Sequence, residues 1–314
     1  MRFVVVGSGK TAISVSKAIA AHESAELVGM IGDSRRETVQ SSFLKQAEKL
    51  GVKAIAVKSL KQDPALSFLR ELEPDYVISA NNFMIFAQDA LAIPKRATVN
   101  FHNGPLPAYG GVNPFCWALM NGETSYGITW HLVDLGIDTG DLLVQEVFDI
   151  DPEDTALTLM IKCIELAISS FRERVLPILV SGILNPYQKP DVAHTYFTGK
   201  DVPYGGVLPW WLDADALIRY GRAMGFAPLP NMFYRPLLKT TNGDQLYGAR
   251  VEIGSSQPGA VPGTIIAADE QTITVATAGA SLIVSELYKR AALKSEIPVN
   301  DHPIKVGDTL ITET

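Results

Sequence analysis

The residues from Asn100 to Asp141 bring several polar side chains together in an otherwise apolar part of the chain. This stretch reads NFHNGPLPAYGGVNPFCWALMNGETSYGITWHLVDLGIDTGD. An apolar run from Ala97 to Phe101 predicts a β-strand, and Asn100 and His102 are two residues apart along it. Because alternate side chains of a strand point to the same face, we expect the amide of Asn100 and the imidazole of His102 to act together.

A second β-like run, from Tyr126 to Val133, contains another imidazole, that of His131. Strand alternation alone leaves two orientations open for His131, one towards the candidate site and one towards the packing layer of the sheet. The run ends at a glycine-containing segment, Asp134 to Gly140, which is typical of a loop. Such a loop can bring the carboxylate of Asp138 back towards His102.

The elements that must position these side chains follow an alternating pattern in the first half of the chain. Short apolar runs alternate with amphipathic stretches, which is typical of parallel βαβ units. We predict strands at Arg2 to Val6, Ala25 to Ile31, Lys53 to Val57, Asp75 to Ser79 and Ala97 to His102, and helices at Ala12 to Ala21, Thr38 to Leu50 and Pro64 to Leu72. This half of the chain therefore favours a doubly wound α/β domain.

The second half of the chain has a different pattern. Apolar residues at three- and four-residue steps predict a long helix from Asp154 to about Val175, and a further helix from Asp213 to Met224 has Asp213 as its N-cap. Short β-like runs with glycine turns then predict a small β-barrel of the OB kind, with strands at Asn231 to Arg235, Gln245 to Val251, Gly263 to Ala267, Thr272 to Ala276 and Ala280 to Leu287.

These patterns predict four consecutive parts of the chain. An α/β domain covers residues 1–184, and a connector that contains one helix covers residues 185–227. The OB-like domain covers residues 228–293, and residues 294–314 are expected to be a tail or a linker because they hold little periodicity.

Composition and charge exclude several classes of protein. The chain has 314 residues, of which 47% are hydrophobic and 19% charged, and its formal net charge is −7. This balance repels a phosphate backbone overall and leaves only local basic patches to bind one, so we do not expect DNA or RNA as the main partner. Cys116 and Cys163 lie in apolar segments, which suits buried thiols in a reducing cytosol better than a disulfide framework, and two cysteines form no metal-ligand cluster. No apolar run reaches membrane-spanning length, and we expect a cytoplasmic protein without a membrane partner.

The first strand-to-helix turn, GSGKTA from Gly7, admits two interpretations. A phosphate-binding P-loop is excluded, because Val4 stands where that motif needs glycine. Gly7, Gly9 and Ala12 fit a dinucleotide-binding fingerprint, and Asp33 follows the second predicted strand as its acidic residue. A tight βα connection also needs glycine for close backbone approach, with no ligand at all.

The stretch that begins at Asn100 resembles the folate-dependent formyltransferases. Their hallmark is Asn-x-His, then a Leu-Pro turn and an Asp-x-Gly loop, which read here as Asn100-Phe-His102, Leu106-Pro107 and Asp138-Thr-Gly140. Further similar residues are Gly111, Pro114, Trp117, Ala118, Gly122, Glu123, Thr124, Gly127, Thr129 and Gln145. The resemblance implies a Rossmann-like transferase domain with a mostly parallel sheet, followed by an OB-like domain. It also implies an enzyme that moves the formyl group of 10-formyltetrahydrofolate to a primary amine without a metal.

The resemblance and the chemistry together suggest a role for each of the three polar residues. Asn100 is expected to donate its amide hydrogen to the developing oxyanion, and His102 to stabilise that oxyanion and carry a proton. Asp138 is expected to orient His102, to favour its imidazolium form and to relay the proton.

The family holds the pterin of the folate between two loops that flank the catalytic strand. Carried over, the cofactor-binding residues are Phe83, Met84, Ile85 and Phe86 in one loop and Asp134, Gly136 and Ile137 in the other. The apolar side chains of the first loop suit a flat heteroaromatic ring. The alternative is that they open a buried helix and bind nothing.

The residues expected to face the amine acceptor depart from the family pattern. Residues 103–105 read Asn-Gly-Pro, and residues 110–111 read Gly-Gly where the family has an Arg-Gly pair. No basic insertion follows the second strand beyond Arg35 and Arg36. We therefore expect a small or carrier-bound amine, such as an amino sugar nucleotide or an amino acid on a peptide synthetase in natural product biosynthesis, and we do not expect tRNA. The end of the chain would then fit a linker to a downstream biosynthetic module.

Two other classes stay open at this point. One is an NAD-dependent oxidoreductase built on the Gly7 turn, and the other is a catalytically inactive binding module that keeps the formyltransferase fold. Thermal-shift measurements separate the cofactors, because a ligand that binds only the folded state raises the melting temperature. We expect stabilisation by a 10-formyltetrahydrofolate analogue and none by NAD; the opposite result would eliminate the formyltransferase interpretation.

Overall fold

The computed structural model describes residues 1–35, 37–187, 194–226, 237–256, 259–290, 296–298 and 302–310. Its elements are β1 (Arg2–Gly7), α1 (Gly9–Ala20), β2 (Glu26–Asp33), α2 (Glu37–Leu50), β3 (Lys53–Val57), α3 (Ala65–Leu72), β4 (Tyr76–Ala80), α4 (Gln88–Leu91), β5 (Ala97–His102), β6 (Gly110–Gly111), α5 (Pro114–Asn121), β7 (Ser125–Leu132), β8 (Leu142–Asp149), α6 (Ala156–Ser170), a π-helical turn (Phe171–Val175), α7 (Leu176–Ser181), β9 (Tyr196–Phe197), a 3-10 turn (Pro203–Gly206), α8 (Ala214–Ala223), β10 (Leu237–Lys239), β11 (Gln245–Ser256), β12 (Ile265–Ala268), β13 (Ile273–Ala276), β14 (Ala280–Arg290) and β15 (Glu296–Pro298). The predicted strand from Asn231 to Arg235 and the side chain of Arg36 lie outside the described residues.

The chain divides into two compact units. The first comprises residues 1–112, 125–148 and 161–196, and the second comprises residues 113–124, 149–160 and 197–314. The domain boundaries expected from the sequence, after residues 184, 227 and 293, stay predictions. No helix among the described residues is both long enough and apolar enough to cross a membrane.

The first unit is built on one sheet. Its strands lie in the order β3-β2-β1-β4-β5-β7-β8. β1 pairs in parallel with β2 and β4, β2 with β3, and β4 with β5, whereas β7 runs antiparallel to β5. β4 is buried along its whole length, as expected of a parallel strand that is covered on both faces. The predicted α/β domain with a mostly parallel sheet is therefore confirmed.

The turn after β1 needs glycine for a steric reason. A Cβ added at Gly7 would lie 1.9 Å from the carbonyl oxygen of Ala80, at the end of the neighbouring strand β4. The next residue, Ser8, ties the same two strand ends together, because its hydroxyl donates to the carbonyl oxygen of Asn81 at 3.0 Å. Close packing of β1 against β4 therefore accounts for Gly7 without a bound nucleotide.

The predicted long helix from Asp154 to Val175 is interrupted before its end. α6 ends at Ser170, a π-helical turn covers Phe171–Val175, and α7 continues from Leu176 to Ser181. Pro177 stands in the first turn of α7. Proline has no backbone N–H and clashes with the preceding turn, so the α-helical hydrogen bonds cannot run unbroken through it. The π-helical turn accommodates the resulting change of register.

The second unit contains an antiparallel sheet in the order β10-β11-β14-β13-β12, with β15 paired to β14. This agrees with the predicted small all-β domain. The tail or linker expected after residue 293 stays a prediction, and described residues beyond it pair with the sheet. β15 belongs to the sheet, Thr309 and Leu310 form bridges with Thr264 and Thr240, and Leu310 is buried. Single bridges to residues far away in the sequence require no local periodicity, so the sequence pattern does not reveal them.

The glycine at position 7 provides a test of this packing. We expect Gly7→Ala to lower the free energy of unfolding by about 2–3 kcal/mol, because the new methyl group must displace the backbone of β4. Gly199→Ala is the matched control, since an added Cβ there meets nothing within 4 Å. Urea denaturation followed by circular dichroism measures both. Equal stability of the two variants would show that β1 and β4 do not approach as closely as described.

Candidate active site

The register between β5 and β7 places His131 directly opposite Asn100. Asn100 Nδ2 lies 3.0 Å from His131 Nε2, and His131 Nδ1 donates to the carbonyl oxygen of Leu132 at 2.8 Å. With its proton on Nδ1, the ring offers Nε2 as an acceptor for the Asn100 amide. His131 is buried and belongs to the site, so the orientation that the sequence left open is decided by cross-strand pairing.

Asp138 joins the two imidazoles. Its Oδ2 lies 3.4 Å from His102 Nδ1, and its Oδ1 lies 3.5 Å from His131 Nε2. The backbone N–H of Gly111 donates to Oδ2 at 2.9 Å. Asp138 has a φ of +56°, in the left-handed region that aspartate tolerates better than most residues. The structure therefore brings Asn100, His102 and Asp138 into one cluster, in which His131 is the additional member.

His102 lies between two hydrogen-bond acceptors. Its Nε2 is 2.8 Å from the carbonyl oxygen of Tyr109, and its Nδ1 faces the carboxylate of Asp138. Donation to both acceptors requires a proton on each ring nitrogen. This arrangement favours the imidazolium form of His102, which is the form that can stabilise negative charge nearby.

The carboxylate of Asp138 has an unusually low pKa for a buried group. Burial raises the pKa, but the charge of His102, the neighbouring His131 and the N–H of Gly111 together outweigh it. The net result is a pKa well below the ordinary value of an aspartate, so Asp138 is ionised at neutral pH.

The loop after β5 is held in place by side chains from β7 and β8. Thr129 Oγ1 donates to the carbonyl oxygen of Gly104 at 2.7 Å and accepts from the N–H of Leu106 at 3.1 Å. Gln145 Nε2 donates to the carbonyl oxygen of Leu106 at 2.8 Å. A Cβ at Gly104 would lie 2.8 Å from His102 Nε2, so glycine there leaves room for the imidazole.

The first predicted cofactor loop divides its side chains between solvent and core. Phe83 and Ile85 are exposed, whereas Met84 and Phe86 are buried in the hydrophobic core of the first unit. The second predicted loop is organised by Asp134, which accepts from the N–H of Gly136 at 3.1 Å and from the hydroxyl of Thr139 at 2.5 Å.

The two predicted cofactor loops present apolar side chains to solvent. Leu135 and Ile137 of the second loop are exposed, as Phe83 and Ile85 are in the first. Val133, at the start of the second loop, packs against the core cluster that contains Met84 and Phe86 of the first loop. Exposed apolar side chains on adjacent loops are typical of a surface that binds a ligand or a partner.

The alternative dinucleotide site lacks a free acidic group. Asp33 Oδ1 accepts from Arg35 Nε at 2.8 Å, and its Oδ2 accepts from Arg35 Nη2 at 2.6 Å. The carboxylate of Asp33 is thus paired with the guanidinium of Arg35. The close approach of β4 accounts for the glycine at position 7. Neither observation favours the NAD hypothesis.

A comparison with known protein families covers the part of the chain that contains the cluster. The family model described as "Formyl transferase" matches residues 1–175, which is more than half of the chain. This chain belongs to the formyl transferase family. It is therefore a transferase enzyme of that family, and the oxidoreductase hypothesis has no support.

Curated relatives extend the match beyond the first unit. Methionyl-tRNA formyltransferase of Geotalea daltonii is 28% identical over 255 residues, which cover 81% of this chain and 78% of that protein. Four other formyl transferases of 28–30% identity bear the same name.

Solved structures share the fold. A sugar 3N-formyl transferase, WlaRD, solved in the presence of dTDP and 5-N-formyl-THF, has a TM-score of 0.69 at 19% identity, with coverage of 91% of this chain and 97% of that one. An N-formyltransferase from Helicobacter canadensis, in complex with folinic acid and dTDP-3-aminofucose, has a TM-score of 0.70 at 18% identity, with coverage of 90% and 98%.

The expectation that tRNA is not a partner is wrong. The five curated relatives named above are all methionyl-tRNA formyltransferases, whose name states that they act on tRNA. The expectation relied on the net charge, on the departures from the family pattern and on the absence of a basic insertion after the second strand. Binding of a phosphate backbone depends on local cationic contacts, which the net charge of a whole chain does not report.

The pairing of Asp138 predicts a pH-dependent stability. Because the pKa of Asp138 is lower in the folded than in the unfolded state, its stabilising contribution is complete above about pH 5 and is lost as the pH falls through the folded pKa. We expect Asp138→Asn to be less stable than the wild type at pH 7, by a difference that shrinks below about pH 4.

Chemical denaturation between about pH 3 and pH 8 measures this difference. Asp141→Asn, which changes an exposed carboxylate close by in the chain, is the matched control. A destabilisation of Asp138→Asn that stays constant over this pH range would contradict the pairing.

Proposed function

We propose that this formyl transferase moves the formyl group of 10-formyltetrahydrofolate to a primary amine. The observation that carries the proposal is the position of Asp138, whose carboxylate contacts both His102 and His131 while His131 holds Asn100. This cluster combines an amide donor, an imidazolium and a carboxylate, which are the groups that acyl transfer to an amine requires.

The proposed reaction passes through a tetrahedral intermediate. The acceptor nitrogen forms a bond to the formyl carbon, and the carbonyl oxygen becomes an oxyanion. The bond from this carbon to N10 of the folate then breaks, and the proton that the acceptor loses ends on N10. Asp138, ionised and beside His102, is the proposed relay for that proton.

Asn100 and His102 are the proposed oxyanion donors. The Asn100 amide has two hydrogens, and the bond to His131 uses one of them. The second hydrogen is then available to the oxyanion in an orientation that His131 fixes. His102 contributes its positive charge, which the low-dielectric surroundings of a buried ring make effective.

The folate is proposed to lie against the two loops that present exposed apolar side chains. Phe83 and Ile85 supply apolar area from one loop, and Leu135 and Ile137 supply it from the other. Asp134 and Gly136 are proposed to bind through the loop that they shape, and the buried Met84 and Phe86 to support the loop from the core. Solved neighbours of the same fold contain 5-N-formyl-THF or folinic acid, which supports a folate as the cofactor.

We propose an amino sugar nucleotide, or an amino acid carried on a peptide synthetase, as the acceptor. The support is the Asn-Gly-Pro sequence at residues 103–105, which departs from the family pattern next to His102. The neighbour from Helicobacter canadensis holds dTDP-3-aminofucose in the same fold. An aminoacyl-tRNA is the second candidate, because the names of the curated relatives favour it.

The antiparallel sheet of the second unit is proposed to be an OB-like barrel. The bridges of Thr309 to Thr264 and of Leu310 to Thr240 support this, since Thr264 and Thr240 adjoin β12 and β10, which stand at the two ends of the strand order.

Substitution of the oxyanion donors tests the catalytic proposal. We expect Asn100→Ala and His102→Ala each to reduce kcat by about 100-fold or more, which is the usual effect of removing one such donor. His22→Ala is the matched control, because the His22 ring bonds only the nearby backbone N–H of Ser24 among the contacts described. Activity of His102→Ala close to that of the wild type would contradict the assignment.

A panel of acceptors tests the substrate class. The wild-type protein and 10-formyltetrahydrofolate are incubated with an amino sugar nucleotide, an aminoacyl carrier protein or methionyl-tRNA, and formylated products are measured by mass spectrometry. Formylation of the amino sugar nucleotide or of the aminoacyl carrier protein would support the proposed acceptor. Formylation of methionyl-tRNA alone would overturn that acceptor in favour of an aminoacyl-tRNA, and formylation of none would contradict the proposed function.

A further inference from the structure

A segment outside the stretch matched by the family model contacts the candidate site. The match ends at residue 175, and Thr195 lies 20 residues beyond it. Thr195 Oγ1 accepts from the backbone N–H of Tyr109 at 2.7 Å. The carbonyl oxygen of Thr195 accepts from the N–H of Gly110 at 2.9 Å. One residue thus holds two consecutive backbone amides of the loop at residues 109–111.

The same loop provides backbone partners to the site. The carbonyl oxygen of Tyr109 bonds His102 Nε2 at 2.8 Å, and the N–H of Gly111 donates to Asp138 Oδ2 at 2.9 Å. Thr195 binds the N–H groups of Tyr109 and Gly110. These groups lie next to the Tyr109 carbonyl, which binds His102, and the Gly111 N–H, which binds Asp138. A shift of this backbone would change both contacts together.

We propose that Thr195 is a positioning residue for formyl transfer, which fixes residues 109–111 so that His102 and Asp138 stay aligned. The role is indirect, because Thr195 bonds only this backbone in the contacts described. The inference rests on the proposed function. The hydroxyl is the essential group, since a valine of the same shape cannot accept a hydrogen bond and leaves the Tyr109 N–H unpaired.

The residues on either side of Thr195 also lie near the site. A Cβ added at Gly110 would lie 3.1 Å from the Thr195 carbonyl oxygen and 3.4 Å from His194 Nε2, so the segment packs closely on the loop. Burial raises the pKa of Tyr196, and the charge of Asp138 raises it further. The segment is therefore close enough to sense the charge of the carboxylate.

Three substitutions and one control test the role of the hydroxyl. Thr195→Val and Thr195→Ala remove the hydroxyl, and Thr195→Ser keeps it. Thr195→Ala replaces Thr195→Val in the measurements if the valine variant does not fold. Thr198→Val is the matched control, because the Thr198 hydroxyl also accepts from a backbone N–H, that of Lys200, at 3.2 Å. Circular dichroism confirms that each variant is folded.

The first measurement is steady-state kinetics with the acceptor identified by the panel. We expect Thr195→Val to lower kcat about tenfold while KM for 10-formyltetrahydrofolate stays within about twofold, because alignment and not folate binding is lost. Thr195→Ser should recover kcat to within about twofold of the wild type, and Thr198→Val should not change it.

The second measurement is the titration of His102, followed by NMR of its ring protons, and it requires no substrate. Among the contacts described for this part of the chain, His131 and Tyr196 are titratable side chains near His102 and Asp138, and both are unchanged in every variant. We expect the titration midpoint of His102 to fall by about half a pH unit or more in Thr195→Val, because the imidazolium loses its aligned carboxylate. Thr195→Ser should keep the wild-type midpoint.

The two measurements distinguish failure of this inference from failure of the proposed function. An unchanged His102 midpoint in Thr195→Val, or a Thr195→Ser variant no better than Thr195→Val, would overturn the positioning role. If the wild type formylates no acceptor, the proposed function fails, and the titration still decides whether Thr195 aligns His102 with Asp138.

Discussion

The carboxylate of Asp138 is the group on which the rest of the site depends. Its side chain is only 9% exposed, and a buried charge is tolerated only when it is paired and hydrogen-bonded. The partners come from three separate parts of the chain: His102 at the end of β5, His131 within β7, and the backbone of Gly111 between them. All three must be in place before the charge is compensated, so the chemistry of the site and the folding of this edge of the sheet depend on the same contacts.

This dense packing also explains the glycines around the site. A side chain at Gly104 would meet His102 Nε2 at 2.8 Å, and one at Gly140 would meet the carbonyl oxygen of Leu132 at 1.8 Å. These positions lie on the two loops that converge on the cluster. The first belongs to the Asn-Gly-Pro sequence that departs from the family pattern, which shows that the departure preserves room for the imidazole instead of destroying the site. The site therefore keeps its geometry where its sequence differs from the family.

The chemistry of the cluster and the identity of the acceptor depend on different parts of the protein. Asn100, His102, His131 and Asp138 form the proposed chemical centre, whereas recognition of an acceptor depends on surfaces around it, because one fold can carry different substrate sites. The relatives illustrate this, since a methionyl-tRNA formyltransferase matches the sequence at 28% identity and a sugar 3N-formyl transferase matches the fold with a TM-score of 0.69. Family membership consequently defines the class of chemistry and leaves the acceptor to be determined by experiment.

The sequence by itself determined the parallel α/β architecture and the grouping of Asn100, His102 and Asp138, because strand alternation, helical periodicity and a contiguous motif are local signals. Only the tertiary structure decided that His131 faces the site, since its orientation follows from the register with Asn100 on another strand. The same holds for Thr195 and for the sheet pairing of the chain end, which join residues far apart in sequence. Net charge misled the expectation about tRNA because it averages over the chain, whereas binding depends on which charges the fold places together.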